Sequence, residues 1–205
     1  MKANHLIYAC RPFLIFVITT ILSTACQHTN SNDVPSLGSV DSLDQERTIK
    51  PEISRFISVD GQFSIQFPGV PKTNESSSPT EIGVVDVTQY IYSVDDKQVW
   101  IASFADYSNE MMKQGSTLEL INGIQTDILD GLEAKELNSR HYMFDDQFES
   151  KTMSAYSKRN AVDILYTIIL VENRIYQLGM FSSIGPFSVA DSIDFMGSFL
   201  LESDR

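Results

Sequence analysis

Apolar and polar positions alternate with two different periods along this chain, and the change of period divides it into elements. Arg55–Val59, Asp60-Gly61 and Gln62–Phe67 read as strand, tight turn and strand, because Asp-Gly between apolar segments favours a hairpin. Phe63, Ile65 and Phe67 alternate with Ser64 and Gln66, so one face of that strand is expected to be wet. Pro68-Gly69-Val70-Pro71 stops it, and residues 72–81 read as a polar loop around Ser76-Ser77-Ser78-Pro79. Gly83–Val94 and Val99–Asp106 form the next strand pair around Asp95-Asp96-Lys97. In the second, Trp100, Ala102 and Phe104 fall on one face and Val99, Ile101 and Ala105 on the other. Apolar residues on both faces mark a strand covered on both sides.

After residue 106 the period lengthens. Ser116 and Glu119 fit a capping box, Leu120, Ile121, Ile124 and Ile128 follow at helical spacing, and Gly131 is placed as the stop. Ala134–Met143 and Phe148–Tyr156 pair around Asp145-Asp146. Val162–Val171 and Arg174–Phe181 pair around Glu172-Asn173, and the first of these, apolar on both faces, belongs near the sheet centre. Ser188 and Asp191 open a last short helix whose inner face is Val189, Ser192, Ile193 and Met196, with Gly197 at its end. Hairpins dominate, so the sheet is expected to be largely antiparallel. Strands apolar on both faces call for helices on both sides. The fold class expected is α+β: an α/β/α sandwich with a curved, largely antiparallel sheet.

The first residues do not fit that body. Lys2 and Arg11 give a positive start, Phe13–Leu22 is apolar, and Ser23-Thr24-Ala25 precedes Cys26. This is the layout of an export signal, and its apolar run falls short of the roughly 20 residues a bilayer span needs. Leu22-Ser23-Thr24-Ala25-Cys26 resembles a bacterial lipobox, with Leu one place earlier than in the commonest pattern. Three outcomes stay open: diacylation at Cys26, which the lipobox favours, an ordinary cleaved signal, and an uncleaved anchor. The organisation expected is a signal peptide over 1–25, a lipidated Cys26 with a polar tether over 26–52, and a domain over 53–205. The tether has no aromatic residue and recurrent Ser, Asp, Pro and Gly, too little apolar surface to order itself. As a flexible coil it spans about 25–30 Å r.m.s.. Cleavage removes Cys10 and leaves Cys26 as the lone cysteine. No internal disulfide is then possible, and the core has to stabilise the fold.

Charge narrows the function classes. Removing Lys2 and Arg11 leaves 13 Lys and Arg against 27 Asp and Glu, a net of −14. Such a surface repels phosphate backbones, so nucleic acid is not an expected partner. It also repels anionic headgroups, which suits a domain held off the membrane by a tether. Gln27, not Asp, follows the cysteine. The expected location is therefore the cell envelope, at the inner leaflet of the outer membrane of a Gram-negative host, with the lipid as membrane contact and an envelope protein as possible partner.

Asp60–Lys72 resembles the opening hairpin of a widespread group of bacterial envelope proteins, Asn173–Leu178 their late hairpin, and Asp194–Phe199 their final helix and exit. Those proteins are similar to the PsbP-like sandwich fold, and the resemblance covers roughly residues 56–201. It implies that fold and a binding or assembly role. The matched residues are turn and core residues, so it assigns no catalytic residue and no cofactor.

The chemistry-bearing candidates are few. His5 belongs to the signal and His28 to the tether, which leaves His141 in the domain. Beside Asp145 and Asp146 it offers at best a weak cation site, and zinc lacks a second His or Cys. Asp95-Asp96 and Asp145-Asp146 lack the spaced oxygen ligands of a calcium loop and read as solvated turns. No metal or cofactor is expected. A nucleophile needs a base beside it, and the sequence offers none but His141; phosphate and dinucleotide loops are not found. Tyr90, Tyr92, Trp100, Phe104, Tyr107, Tyr166 and Tyr176 read as core aromatics, with a sugar or peptide groove as the competing use and Tyr107 as the member expected to be exposed. Arg140, Lys151, Lys158 and Arg159 form either a basic patch or a charged hairpin edge. The leading functional expectation is a non-enzymatic envelope lipoprotein that binds or scaffolds a protein or small ligand. An accessory factor of a photosystem-like membrane complex, in a photosynthetic host, and an unrecognised hydrolase are the alternatives.

Overall fold

A computed structural model describes residues 55–80, 83–113 and 115–202. The segments expected as signal peptide (1–25) and as lipidated Cys26 with its tether (26–52) lie outside the described residues, as do residues 53 and 54. Ten strands and three helices are described: β1 (Arg55–Ser58), β2 (Phe63–Gln66), β3 (Lys72–Thr80), β4 (Gly83–Val94), β5 (Gln98–Asp106), α1 (Asn109–Met112), α2 (Thr117–Gly131), β6 (Ala134–Phe144), β7 (Phe148–Ser157), β8 (Val162–Val171), β9 (Arg174–Ser182), α3 (Val189–Phe195) and β10 (Leu200–Leu201). A 3₁₀ turn, Met196–Ser198, joins α3 to β10.

Seven strands make one sheet in the order β3-β4-β5-β9-β8-β7-β6, and every neighbouring pair is antiparallel. A second sheet, β1-β2-β10, lies apart from it. The α+β sandwich with a largely antiparallel sheet is therefore the architecture found. Helix α2 buries Ile121, Ile124 and Ile128 against one face, together with Val99, Ile101, Ala105, Ile164 and Ile168. The opposite face carries Trp100, Ala102, Phe104, Ile169, Tyr176 and Leu178. It is covered by Phe63 and Ile65 of β2, by Phe67 just after it, and by Phe195 and Phe199. One cover is thus a helix, the other a small sheet with a short helix beside it.

Residues 72–81, expected as a polar loop, are instead largely strand β3, in register with β4 from Lys72↔Ile91 to Thr80↔Gly83. Polar residues persist there because β3 is an edge strand. Asn74 Nδ2 donates to Gln89 Oε1 at 3.1 Å and the Ser77 hydroxyl donates to Asp86. Pro79, which has no N–H to give, is tolerated at an edge.

Both expected capping boxes form. The Ser116 hydroxyl accepts from the Glu119 N–H, and the Glu119 carboxylate accepts from the Ser116 N–H at 2.8 Å. Those bonds, backbone first, hold the Glu119 carboxyl below the ordinary glutamate range. Ser188 and Asp191 repeat the arrangement on α3. Gly131, expected as the stop, is the last helical residue. The left-handed residue is Glu133, at φ 47°. The helix can leave through Glu133 because the turn after β7 holds its end: the Leu132 carbonyl accepts from Ser157 Oγ at 2.6 Å and Asn160 Nδ2 at 3.3 Å. The acidic pairs are turn chemistry as well. Asp95, Asp96, Asp145 and Asp146 all have φ between 49° and 56°, a left-handed region that Asp tolerates better than most residues.

Gly61 shows how tightly the opening hairpin sits on the sheet. A Cβ there would lie 2.6 Å from Ser58 Oγ, 2.7 Å from Phe63 and 2.8 Å from Phe104. Two of these neighbours are packed rings that have nowhere to go. Gly61→Ala is expected to destabilise the domain by about 1–3 kcal/mol. Chemical denaturation checks it: an unchanged midpoint would mean that the hairpin is not clamped as described.

Candidate functional site

The hairpin is fixed to the sheet by polar contacts around its turn. Arg174 Nε and Nη2 donate to the two oxygens of Asp106 at 2.6 and 2.7 Å, and Nη1 donates to the Asp60 carbonyl at 2.9 Å. The guanidinium lies over the Phe104 ring, 4.8 Å from its centroid. The bidentate carboxylate raises the Arg174 pKa further above its ordinary range. The Tyr176 hydroxyl donates to the Gly61 carbonyl at 2.8 Å, and Ser58 and Tyr90 share a hydrogen bond of 2.8 Å. These contacts seat Phe63 in a ring of aromatics, with Tyr90, Tyr176 and Phe199 at 5.3–5.9 Å between centroids. The polar groups of the clamp are bonded to one another and to the hairpin backbone.

The aromatic set is core, apart from Tyr92, which is half-buried against it. Tyr90, Trp100, Phe104, Tyr166 and Tyr176 are buried. Tyr107, expected to be exposed, is also buried, at 8% exposure. The strand end there is tied down: the Tyr107 N–H donates to the Asn173 carbonyl at 2.8 Å, and Asn173 Nδ2 donates to the Tyr107 carbonyl at 3.0 Å. Tyr166 lies deepest, its hydroxyl 2.9 Å from Gln177 Oε1, and burial pushes its pKa far up.

His141 meets neither Asp145 nor Asp146 in an ion pair; its Nε2 lies 2.5 Å from Glu149 Oε2 across the β6-β7 pair. Among the described residues no group of three or more His, Cys, Asp or Glu is placed to hold a metal ion. The cations do not gather either. Strand alternation puts Arg140 and Lys151 on opposite faces of the sheet. Lys151 Nζ donates to Asn122 Oδ1 of α2 at 2.8 Å. Arg159 pairs with Glu133, and Lys158 stands beside it in the turn after β7.

What the structure brings together instead is a groove of about 400 Å³ between α3 and the large sheet. Its floor is the end of the sheet farther from the hairpin turn: Tyr142 and Phe144 of β6, Thr152 of β7, Leu165, Thr167 and Ile169 of β8, and Leu178 of β9. Its other wall is Phe187, Val189, Ser192, Ile193, Met196 and Gly197. Apolar side chains predominate and none is charged. Two hydroxyls interrupt the floor, Thr152 and Thr167, bonded to each other at 2.8 Å. Thr167 also lies 3.5 Å from Met196 Sδ.

The groove corrects the expected inner face of α3. Val189 and Ile193 are 77% and 63% exposed, and the residue that enters the core is Phe195, at 1%. Helix α3 has seven residues, under two turns. It is anchored at its C-terminal end, where Phe195 packs 5.1 Å from Phe67 and Ser198 Oγ accepts from the Gln66 N–H at 2.8 Å. The expected face does look toward the sheet but does not close on it. The sequence marks the amphipathic stripe; the gap beneath it comes from where the anchor sits. His141 points to the other face, so the groove holds hydroxyls without a base.

No family model matches the chain, and no curated protein does. Among solved structures, the solution structure of cyanobacterial PsbP (CyanoP) from Synechocystis sp. PCC 6803 is similar to it, with a TM-score of 0.49 and 12% identity, over 80% of this chain and 98% of that one. Among the described residues no helix is long and apolar enough to cross a membrane.

The anchor and the wall of α3 are separable by mutation. Phe195→Ala is expected to cost about 3–5 kcal/mol, as for other buried aromatics, whereas Ile193→Asp, on an exposed position, should stay within about 0.5 kcal/mol. Thermal melts of the two variants test this, and a large loss in Ile193→Asp would show that α3 packs through the face expected from sequence.

Proposed function

We propose that this chain is a non-enzymatic lipoprotein of the cell envelope, held by a lipid on Cys26, whose sandwich domain binds a small, largely apolar ligand in the groove beneath α3. The observation that carries the reading is the groove itself. Along β5 and β9 both faces of the sheet are packed, yet here an apolar floor and an apolar helix face are left open to each other. Concave, mostly apolar sites with a few polar groups are the usual form of ligand pockets, and about 400 Å³ is within their ordinary range. Exposed Val189 and Ile193 add two apolar side chains at its mouth. The basic start, the short apolar run and Leu22–Cys26 support the anchor.

Gly197 gives a direct test of the groove. A Cβ there meets only Ile193, at 3.6 Å or beyond, so a larger residue fills space without straining the backbone. Gly197→Leu is expected to abolish most of the emission gained by the neutral probe Nile red on binding, with the melting temperature within a few degrees of wild type. Equal emission in the variant would remove the groove as the binding site. The anchor has its own test. Cys26→Ser is expected to lose acyl labelling and leave the membrane fraction, and membrane retention without it would count against the lipid.

A further inference from the structure

We infer that the ligand of the groove is an aliphatic monocarboxylate, its tail on the apolar floor and its carboxylate at Arg140. This rests on the groove being a binding site and adds the chemistry of the occupant.

Four strands place one row of side chains across the floor. Arg140 is in register with Thr152, Thr152 with Thr167, and Thr167 with Leu178, and residues directly opposite in antiparallel strands share a face. The row therefore runs from an apolar residue in the groove floor, through two hydroxyls, to Arg140 on the edge strand, next to Thr152 and just beyond the groove's lining. Along β6, Arg140 also shares its face with Tyr142 and Phe144, both of which line the groove. A graded row of this kind matches an amphipathic molecule lying along it.

The charges select the sign and the valence. Lys151, Arg159 and Arg174 are each engaged by an oxygen of Asn122, Glu133 and Asp106. Arg140 is exposed and has no ion pair among the described residues. Lys135 faces the same side, but its row, Lys135–Tyr156–Asp163, brings an acid with it. Asp163 is four residues from Thr167 along β8, roughly 13 Å. Asp191 of α3 is held by the Ser188 N–H and hydroxyl, and neither it nor Asp194 lines the groove. One guanidinium beside two hydroxyl groups suits a single carboxylate, whose two oxygens match the guanidinium fork. A dianionic phosphate would face one cation on a chain of net charge −12.

The test displaces Nile red from the full-length protein with three probes that share one tail: dodecanoate and dodecyltrimethylammonium, each below its micellar concentration, and dodecan-1-ol below its solubility limit. Only the emission that Gly197→Leu removes is scored. Dodecanoate is expected to displace the dye at roughly three- to tenfold lower concentration than dodecan-1-ol, the range for a charge-assisted contact at an exposed site, and dodecyltrimethylammonium last. Arg140→Gln should bring dodecanoate to the level of dodecan-1-ol and leave dodecan-1-ol unchanged; Arg140→Lys should retain part of the preference. Equal displacement by all three, or a preference that survives Arg140→Gln, overturns the carboxylate while leaving the groove standing. Failure of every probe to displace the dye overturns both.

Discussion

A seven-stranded sheet with two apolar faces needs two covers, and everything else in this domain follows from how unequally they are supplied. Helix α2, fifteen residues long, covers one face with Ile121, Ile124 and Ile128. The other face has a two-stranded hairpin and a helix of seven residues. Phe63 of that hairpin is fully buried and sits among four aromatic rings. Arg174, Tyr176 and Tyr90 hold the hairpin by its turn and first strand. With no disulfide available within the described residues, these ring contacts and buried hydrogen bonds fix the second layer to the sheet.

The groove is the consequence of that unequal supply. A hairpin anchored near β4, β5 and β9 leaves β6, β7 and β8 to the short helix, which is itself anchored by Phe195 and Phe199 toward the hairpin side. What α3 does not reach becomes an apolar trough with Thr152 and Thr167 in its floor. Edge strand β6 then sets what chemistry meets that trough, because alternation sends Arg140, Tyr142 and Phe144 to the groove side and His141 to the other. The same alternation that puts a cation on the groove's side of the sheet denies that side a base.

Legibility from sequence varied with how local the cause was. The capping boxes of Ser116 and Ser188, the Asp-Asp turns and the double-sided strand Val99–Asp106 were all legible, because each depends on neighbours within a few positions. Strand β3 was not: Lys72–Thr80 is polar on its own terms and becomes a strand only because Val84–Ile91 offers it an edge. Glycine suits a left-handed residue, which marks Gly131 as the stop, yet Glu133 adopts that conformation, with the helix end held by Ser157, 25 residues on from Leu132. Tyr107 looked like a free strand end because Asn173, its partner, is 66 residues on.

By itself the sequence determined most of the element types, the two apolar faces of the sheet and the acidic charge balance. Periodicity, turn propensity and charge are local or additive properties, so they need no partner to be read. Only the tertiary structure decided which apolar stripe is packed and which is left open, since that depends on where two covers of fixed length are anchored on one sheet. Phe195 and Ile193 are two residues apart and similarly apolar, and distant contacts alone put one in the core and the other at the mouth of a groove.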